Sequence, residues 1–193
     1  MLLKEGELII ERLKPEFQPL LKLFECRHDD ENKFLREDAL PQQEGRFNTT
    51  YLLFENAERK KVISYITLAV GSFILSPDKE ILGIKIRDKP YELPTKVPCI
   101  LIGHLATDKT EESRGGGSHL LQFAIKYAVQ RSPEYPAPFL ALHAYPDKVN
   151  WYGKRGFEVA FTPKDSSETT PMFMHLQSIS PEIEAKIKRT DKK

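Results

Sequence analysis

Cysteine is almost missing from this sequence. Cys26 and Cys99 are the only two, far apart and in no metal-type spacing, which excludes a disulfide framework or a cysteine metal centre. Both are expected as free, buried thiols in a reducing compartment. Charge of one sign is missing as well. Lys and Arg number 29 against 28 Asp and Glu, a formal net charge of +1, so only a local basic patch is left to meet nucleic-acid phosphates. Long apolar runs are absent. The most apolar stretch, Val62 to Leu75, falls well short of the roughly 20 residues of a membrane span and is rich in β-branched residues. The opening MLLKEGELIIERL breaks its apolar residues with charges, unlike a secretory leader. These absences predict a cytoplasmic chain with no membrane partner. Internal repeats are absent too. What is present is an ordinary globular balance, 40% hydrophobic and 30% charged over 193 residues. That predicts one domain over 1–178 and a charged C-terminal tail over 179–193.

Glu7 to Leu13 alternates weakly and suits a first strand. Glu16 to Phe24 and Asp29 to Ala39 carry apolar residues at helical spacing, with Asp29 or Asp30 as the expected cap of the second helix. Thr49 to Glu55 and Val62 to Ala69 read as paired strands about the polar turn Asn56 to Lys61. The proline-rich Ser76 to Pro98 reads as a long connection. Cys99 to Thr107 (CILIGHLAT) is a nearly continuous apolar run, expected to be buried on both faces. Ser118 to Arg131 places Leu120, Leu121, Ala124, Tyr127 and Ala128 on one helical face. Phe139 to Ala144 is another buried strand, Asp147 to Arg155 a short helix ended by Gly156, and Phe157 to Phe161 and Met172 to Leu176 two closing strands. Strand, glycine loop, helix and strand make a βαβ unit within a mixed sheet. The fold class is α/β (α+β), a three-layer domain.

Between the apolar strand and its helix runs DKTEESRGGGSHLL, Asp108 to Leu121. Three glycines at a helix start cost up to about 1 kcal/mol each relative to alanine. Either they form a flexible turn, or the backbone must be approached closely. Glycine amides at a helix N-terminus can cradle phosphate, with Arg114 as an added cation. A P-loop is excluded because Ser118 and His119, not Lys-Ser/Thr, follow Gly117. The dinucleotide fingerprint fails because Leu120 occupies its third glycine position.

Glu112 to Gly117 (ESRGGG) resembles the Gln/Arg-x-x-Gly-x-Gly/Ala signature of the GNAT family of acetyl-coenzyme A-dependent N-acetyltransferases, with Glu112 where the family has Gln or Arg. About thirty residues on, NWYGKRGF (Asn150 to Phe157) is similar to the family's FYxxxGF segment. Together the motifs cover roughly Pro98 to Phe161. Phe24, Cys26, Phe34, Leu35, Tyr51 and the segment LPTKVPCILIGHLATDK resemble the branch that includes toxins acetylating aminoacyl-tRNA. His104 replaces that branch's common arginine.

The resemblance implies a GNAT-like sheet whose central strands, CILIGHLAT and FLALHA, are neighbours splayed at their carboxyl ends. It implies acetyl-CoA as co-substrate, without metal, and a primary amine as acceptor, with aminoacyl-tRNA the leading candidate. It admits a homodimer and an antitoxin partner. Backbone groups of Leu105, Ala106 and Thr107 are expected to bind the pantetheine arm. Ser113, Arg114, Gly115, Gly116, Gly117 and Ser118 are expected to take the pyrophosphate. Tyr152 stands at the catalytic tyrosine position, where a phenol of pKa about 10 can serve a leaving thiolate of pKa about 8.5. His104 and His143 are candidate bases of ordinary pKa about 6.5, the alternative being satisfied core histidines. His119 is either a phosphate contact or a solvated helix residue. Glu111 and Glu112 read as solvent-facing loop acids and Trp151 as packing. The runs Glu58 to Lys61 and Lys186 to Lys193 are either solvated or tRNA-tracking. The competing function is a GNAT-fold module that binds coenzyme A or a partner without transfer.

Overall fold

The computed structural model describes residues 3, 8–74, 96–132, 134, 136–161 and 169–176. Of the expected connection Ser76 to Pro98, residues 76–95 lie outside the described residues, while Lys96 to Pro98 belong to a strand instead; the tail over 179–193, with its basic run over 186–193, also lies outside the described residues. The described strands are β1 (Ile9–Arg12), β2 (Thr49–Phe54), β3 (Ser64–Ile74), β4 (Lys96–Thr107), β5 (Phe139–Ala144), β6 (Glu158–Val159) and β7 (Thr170–His175). They form a seven-stranded mixed sheet in the order β1-β2-β3-β4-β5-β7-β6. CILIGHLAT and FLALHA therefore lie on neighbouring strands, as expected. The helices are α1 (Gln18–Leu21), α2 (Asp29–Lys33), α3 (Ala39–Glu44), α4 (Gly116–Arg131) and α5 (Val149–Gly153). The chain divides into two compact units, one of residues 1–69 and 102–130, the other of 70–101 and 131–193. Strands β3 and β4 contribute to both.

In the first unit β1 pairs antiparallel with β2, Ile9 opposite Phe54, and β2 with β3, Thr49 opposite Leu68. Alternation along β2 and β3 sorts their side chains. Leu52, Phe54 and Tyr65 enter one core with Leu13, Phe17, Leu21, Phe24, Phe34 and Leu35. Leu53 and Ser64, at the intervening positions, meet the start of α4 instead. Each large aliphatic or aromatic chain so buried contributes roughly 1.5–3 kcal/mol. On α4, Leu120, Leu121, Ala124 and Ala128 are buried as expected, while Tyr127 is half-buried and meets Tyr51 and Phe123 ring to ring.

Three expectations need correction here. Helix α2 begins at Asp29 itself, so His28 occupies the cap position, without a side-chain cap. Asp29 and Asp30 sit in the first turn, where their charge still complements the helix dipole. A π-helical turn, Phe34–Asp38, separates α2 from α3. Pro41 has no N–H to donate to Glu37, and its ring crowds that carbonyl; the wider turn accommodates it. Strand β4 is not buried on both faces. It alternates at its start and is largely half-exposed from Gly103 to Thr107.

In the second unit β5 pairs antiparallel with β7, Phe139 opposite His175, and β6 with β7, Glu158 opposite Phe173. Phe73 and Phe173 stack, and Phe139 meets both edge-on, with ring centroids 5.3–5.7 Å apart, joined by Val97, Cys99, Ala141 and Ala160. Both cysteines are free and buried. Burial pushes the Cys99 thiol up to about 12, so it serves as packing rather than as a nucleophile. Gly156 follows α5 with φ 89°, the helix-ending conformation its position predicted.

Candidate functional site

The three loop glycines have three different reasons. Gly115 has φ 97°, a conformation that side chains rarely adopt. Gly116 is a packing glycine: a Cβ there would lie 2.4 Å from Ser64 Oγ and 3.1 Å from Ile63 Cγ2. A side chain would lift the helix start off β3. Gly117 has no such internal cause. Its nearest neighbour would be Thr107 Oγ1 at 3.4 Å, an ordinary contact. The first helical bond here runs from His119 N–H to the Gly115 carbonyl at 3.1 Å. The N–H groups of Gly116 and Gly117 precede it and, by helix geometry, have no partner within α4. This is the geometry of an anion cradle.

Ion pairs fix the loop that leads into this cradle. Asp108, buried at the end of β4, accepts hydrogen bonds from Glu25 N–H (3.1 Å), Thr110 N–H (3.0 Å) and the Thr110 hydroxyl (2.7 Å). Lys61 Nζ lies 3.0 Å from Asp108 and 2.9 Å from Glu111. Burial alone would raise the Asp108 carboxyl, but these bonds outweigh it and hold the pKa below the ordinary value. Arg114 pairs with Glu55 at 2.5 Å and with Glu111, and its carbonyl accepts from Leu3 N–H at 3.1 Å. Its guanidinium thus braces the loop from within, beside its expected role as a phosphate cation. Ser113, with φ 65°, makes the turn. Glu111 is not the solvated acid expected, because it bridges Lys61 and Arg114. Glu112 pairs with Arg27 at 2.5 Å, which offsets its charge.

Upstream, β4 supplies Leu105, Ala106 and Thr107, all half-buried. Thr107 Oγ1 meets Ser64 Oγ at 2.9 Å, on the side of the sheet where α4 begins. Ala106 packs against the opposite core. His104, two residues before Ala106, shares that side. Its ring stacks on Phe34 with centroids 3.5 Å apart and planes 12° off parallel. Its Nδ1 lies 3.0 Å from Glu31 Oε2. The Tyr65 hydroxyl donates to the same Glu31 oxygen at 2.6 Å and also lies 2.9 Å from the Glu31 carbonyl. Burial would raise the Glu31 carboxyl, yet its bonds from His104 and Tyr65 hold it below the ordinary range.

Glu31 was not singled out by sequence reasoning. The signal was there: at helical spacing it shares a stripe with Phe34 and Leu35, and an acid on an apolar stripe needs a buried partner. Asp108 and Lys61 gave no comparable local sign. Asn32 fixes the start of α2, accepting from Cys26 N–H at 2.7 Å and donating to the Cys26 carbonyl at 3.1 Å. Among the described residues no group of three or more His, Cys, Asp or Glu could hold a metal ion.

The second unit carries Tyr152 and His143. Tyr152 is a buried residue of α5, set edge-on to Trp151 (4.8 Å) and Phe157 (5.6 Å). Its carbonyl accepts from Arg155 N–H at 2.9 Å and Phe157 N–H at 3.2 Å. Trp151 is packing, as expected, and carries the Arg155 guanidinium 3.8 Å above its ring. His143 is the one exposed position of β5, so it is not a core histidine.

No protein-family model matches the chain. A "tRNA-acetylating toxin" of Mycobacterium tuberculosis is 38% identical over 71 residues, 36% of this chain. The chain spans 43% of that relative's length. Solved structures match more broadly. A bacterial toxin superposes with TM-score 0.77 at 18% identity, over 94% of this chain and 95% of its own. The Y145F mutant of KacT gives 0.73 at 23%, over 93% and 98%. AtaT complexed with acetyl-methionyl-tRNAfMet gives 0.71 at 23%, over 89% and 96%. Sharing its architecture with these proteins along nearly its whole length, the chain has the GNAT fold.

Proposed function

We propose that the chain is an acetyl-CoA-dependent N-acetyltransferase whose acceptor is the α-amino group of an aminoacyl-tRNA. The observation that carries the reading is Gly117. It is the second residue of a 16-residue helix, presents its N–H without a partner in that helix, and has no packing reason to be glycine. Sequence likeness to a tRNA-acetylating toxin supports the acceptor.

In this reading Gly115 to Ser118 hold the pyrophosphate, and Leu105 to Thr107 offer backbone groups to the pantetheine arm, as an added strand would meet a sheet edge. Holding both reactants replaces a bimolecular encounter with an intramolecular one. The amine attacks the thioester carbonyl, a C–N bond forms, and the C–S bond breaks. Tyr152 supplies the proton that the departing thiolate takes up. An antitoxin partner and a cytoplasmic site of action belong to the same proposal; AtaT itself is known bound to the C-terminus of the antitoxin AtaR.

The test is transfer from radiolabelled acetyl-CoA into a whole-cell extract, followed by fractionation. Label should enter RNA, resist protease, and leave as N-acetyl-amino acid on mild alkaline hydrolysis of the ester. Label confined to protein or small amines would replace the acceptor. Tight coenzyme binding with no transfer to any fraction would favour the binding-module function.

A further inference from the structure

The mechanism above leaves one proton unassigned, the one that the attacking amine must lose. We infer that Glu31, His104 and Tyr65 form a relay in which His104 Nε2 accepts that proton and Glu31 positions the imidazole. The inference rests on the acetyltransferase reading and deepens it.

Three observations carry it. First, Glu31 is buried, its side chain 9% exposed, on a helix whose start is fixed by Asn32. A buried carboxylate is costly unless it is bonded, and here Tyr65 and His104 both meet Oε2. Second, the imidazole is held on two sides. Phe34 covers one face at 3.5 Å, and Glu31 takes Nδ1 at 3.0 Å. A carboxylate acceptor fixes the proton on Nδ1 and leaves Nε2 as a lone-pair acceptor. Third, the His104 side chain remains 30% exposed. The residue stands directly before the Leu105–Thr107 segment, which the proposed function assigns to the pantetheine arm.

The balance is simple. As the amine nitrogen bonds to the thioester carbon, one of its protons moves to Nε2, and the imidazolium so formed is stabilised by Glu31 across Nδ1–H. The thiolate leaves and takes the Tyr152 proton. After product leaves, the imidazolium gives its proton to water and the Tyr152 phenolate takes one from water, so no net proton is gained or lost. Other titratable groups near the relay are His28, whose charge also acts on Glu31, and Cys26, whose thiol burial pushes up with the Glu31 charge adding to it. Glu31 is thus a positioning residue, and Tyr65 supports it by donating to the same carboxylate oxygen that meets His104.

The test measures kcat against pH, coenzyme affinity, and the ¹⁵N imidazole spectrum of the full chain, in wild type and in Glu31→Gln, His104→Gln and Tyr65→Phe. With aminoacyl-tRNA as acceptor, His104→Gln should lower kcat by about 10²-fold, the usual scale for a general base, and remove the rise of kcat with pH. Glu31→Gln should lower kcat about 10-fold, because the imidazole loses the group that orients it. Tyr65→Phe should do less. Coenzyme Kd should stay within a few-fold throughout. The spectrum should show the Nδ1–H tautomer in wild type and a mixed population in Glu31→Gln. An active wild type with full kcat and an unchanged profile in His104→Gln overturns the relay alone. A wild type that shows the Nδ1–H tautomer yet transfers no acetyl group overturns the acetyltransferase reading, and the catalytic role with it.

Discussion

The loop after β4 and the helix that carries Tyr152 are held by different physics. Charges hold the loop: Asp108, Lys61, Glu111, Arg114 and Glu55 form a connected network in which each ion has an opposite neighbour within about 3 Å. Aromatic edges hold the helix, with Trp151 and Phe157 set against Tyr152. In the proposed function the loop presents backbone N–H groups to an anion, and directional bonds suit that task. In the same proposal Tyr152 offers one hydroxyl at the end of a ring seated among aromatic edges.

The strongest way to break this contrast is within the loop itself. Gly116→Val should unfold or severely destabilise the protein, by about 3 kcal/mol or more, since overpacking against Ser64 and Ile63 has no room to relax. Gly117→Val should melt like the wild type, yet raise the coenzyme Kd by about 100-fold or more, a loss of roughly 2.7 kcal/mol. Thermal melts and calorimetry separate the two; equal effects on stability would end the distinction between a packing glycine and a cradle glycine.

Next in size is Tyr152→Phe, which removes one oxygen and almost none of the packing. Turnover should fall by about 10²-fold, equally in kcat and kcat/KM, with coenzyme affinity within a few-fold. Full activity in the phenylalanine variant would leave Tyr152 as packing only.

Asp108→Asn probes the charged device. Losing the carboxylate should cost about 1–3 kcal/mol by leaving Lys61 and backbone donors poorly met. The sign with pH follows from the direction of the Asp108 shift. Its folded pKa lies below its unfolded one, so its contribution is present above about pH 4 and is lost as pH falls through the folded value. Melting temperatures of the asparagine variant should therefore fall less steeply below pH 4 than those of the wild type. Parallel curves would remove Asp108 from the acid sensitivity.

Smallest is Glu112→Gln. Its bridge to Arg27 is exposed on the arginine side, 71%, and exposed pairs contribute about 0–1 kcal/mol. Stability should scarcely change, and coenzyme should bind tighter by about 2-fold. A larger gain would mean that the arginine does not offset the acid.

Much of this was legible in the sequence. The strands Thr49–Phe54 and Phe139–Ala144 and the body of α4 are written in side-chain periodicity, which depends only on neighbours a few residues away. The glycine run was legible as a departure from helix propensity. Other features were not. The capping expectation at Asp29 or Asp30 failed because α2 takes its start from Asn32 and Cys26 rather than from a side-chain cap. The burial expected on both faces of β4 failed because hydrophobicity in a run does not say what covers it.

By itself, then, the sequence determined where backbone amides meet a helix start, where a tyrosine ends a short helix, and which segments are strand or helix. Each of these is set by local spacing and by the conformations that single residues allow. Only the tertiary structure decided that Gly116 is glycine for Ser64, that Arg114 braces the loop, and that Glu31 meets His104 across 73 positions of the chain. Such pairings carry no periodic signal, because the free energy of a buried contact depends on distance in space and not on separation along the chain.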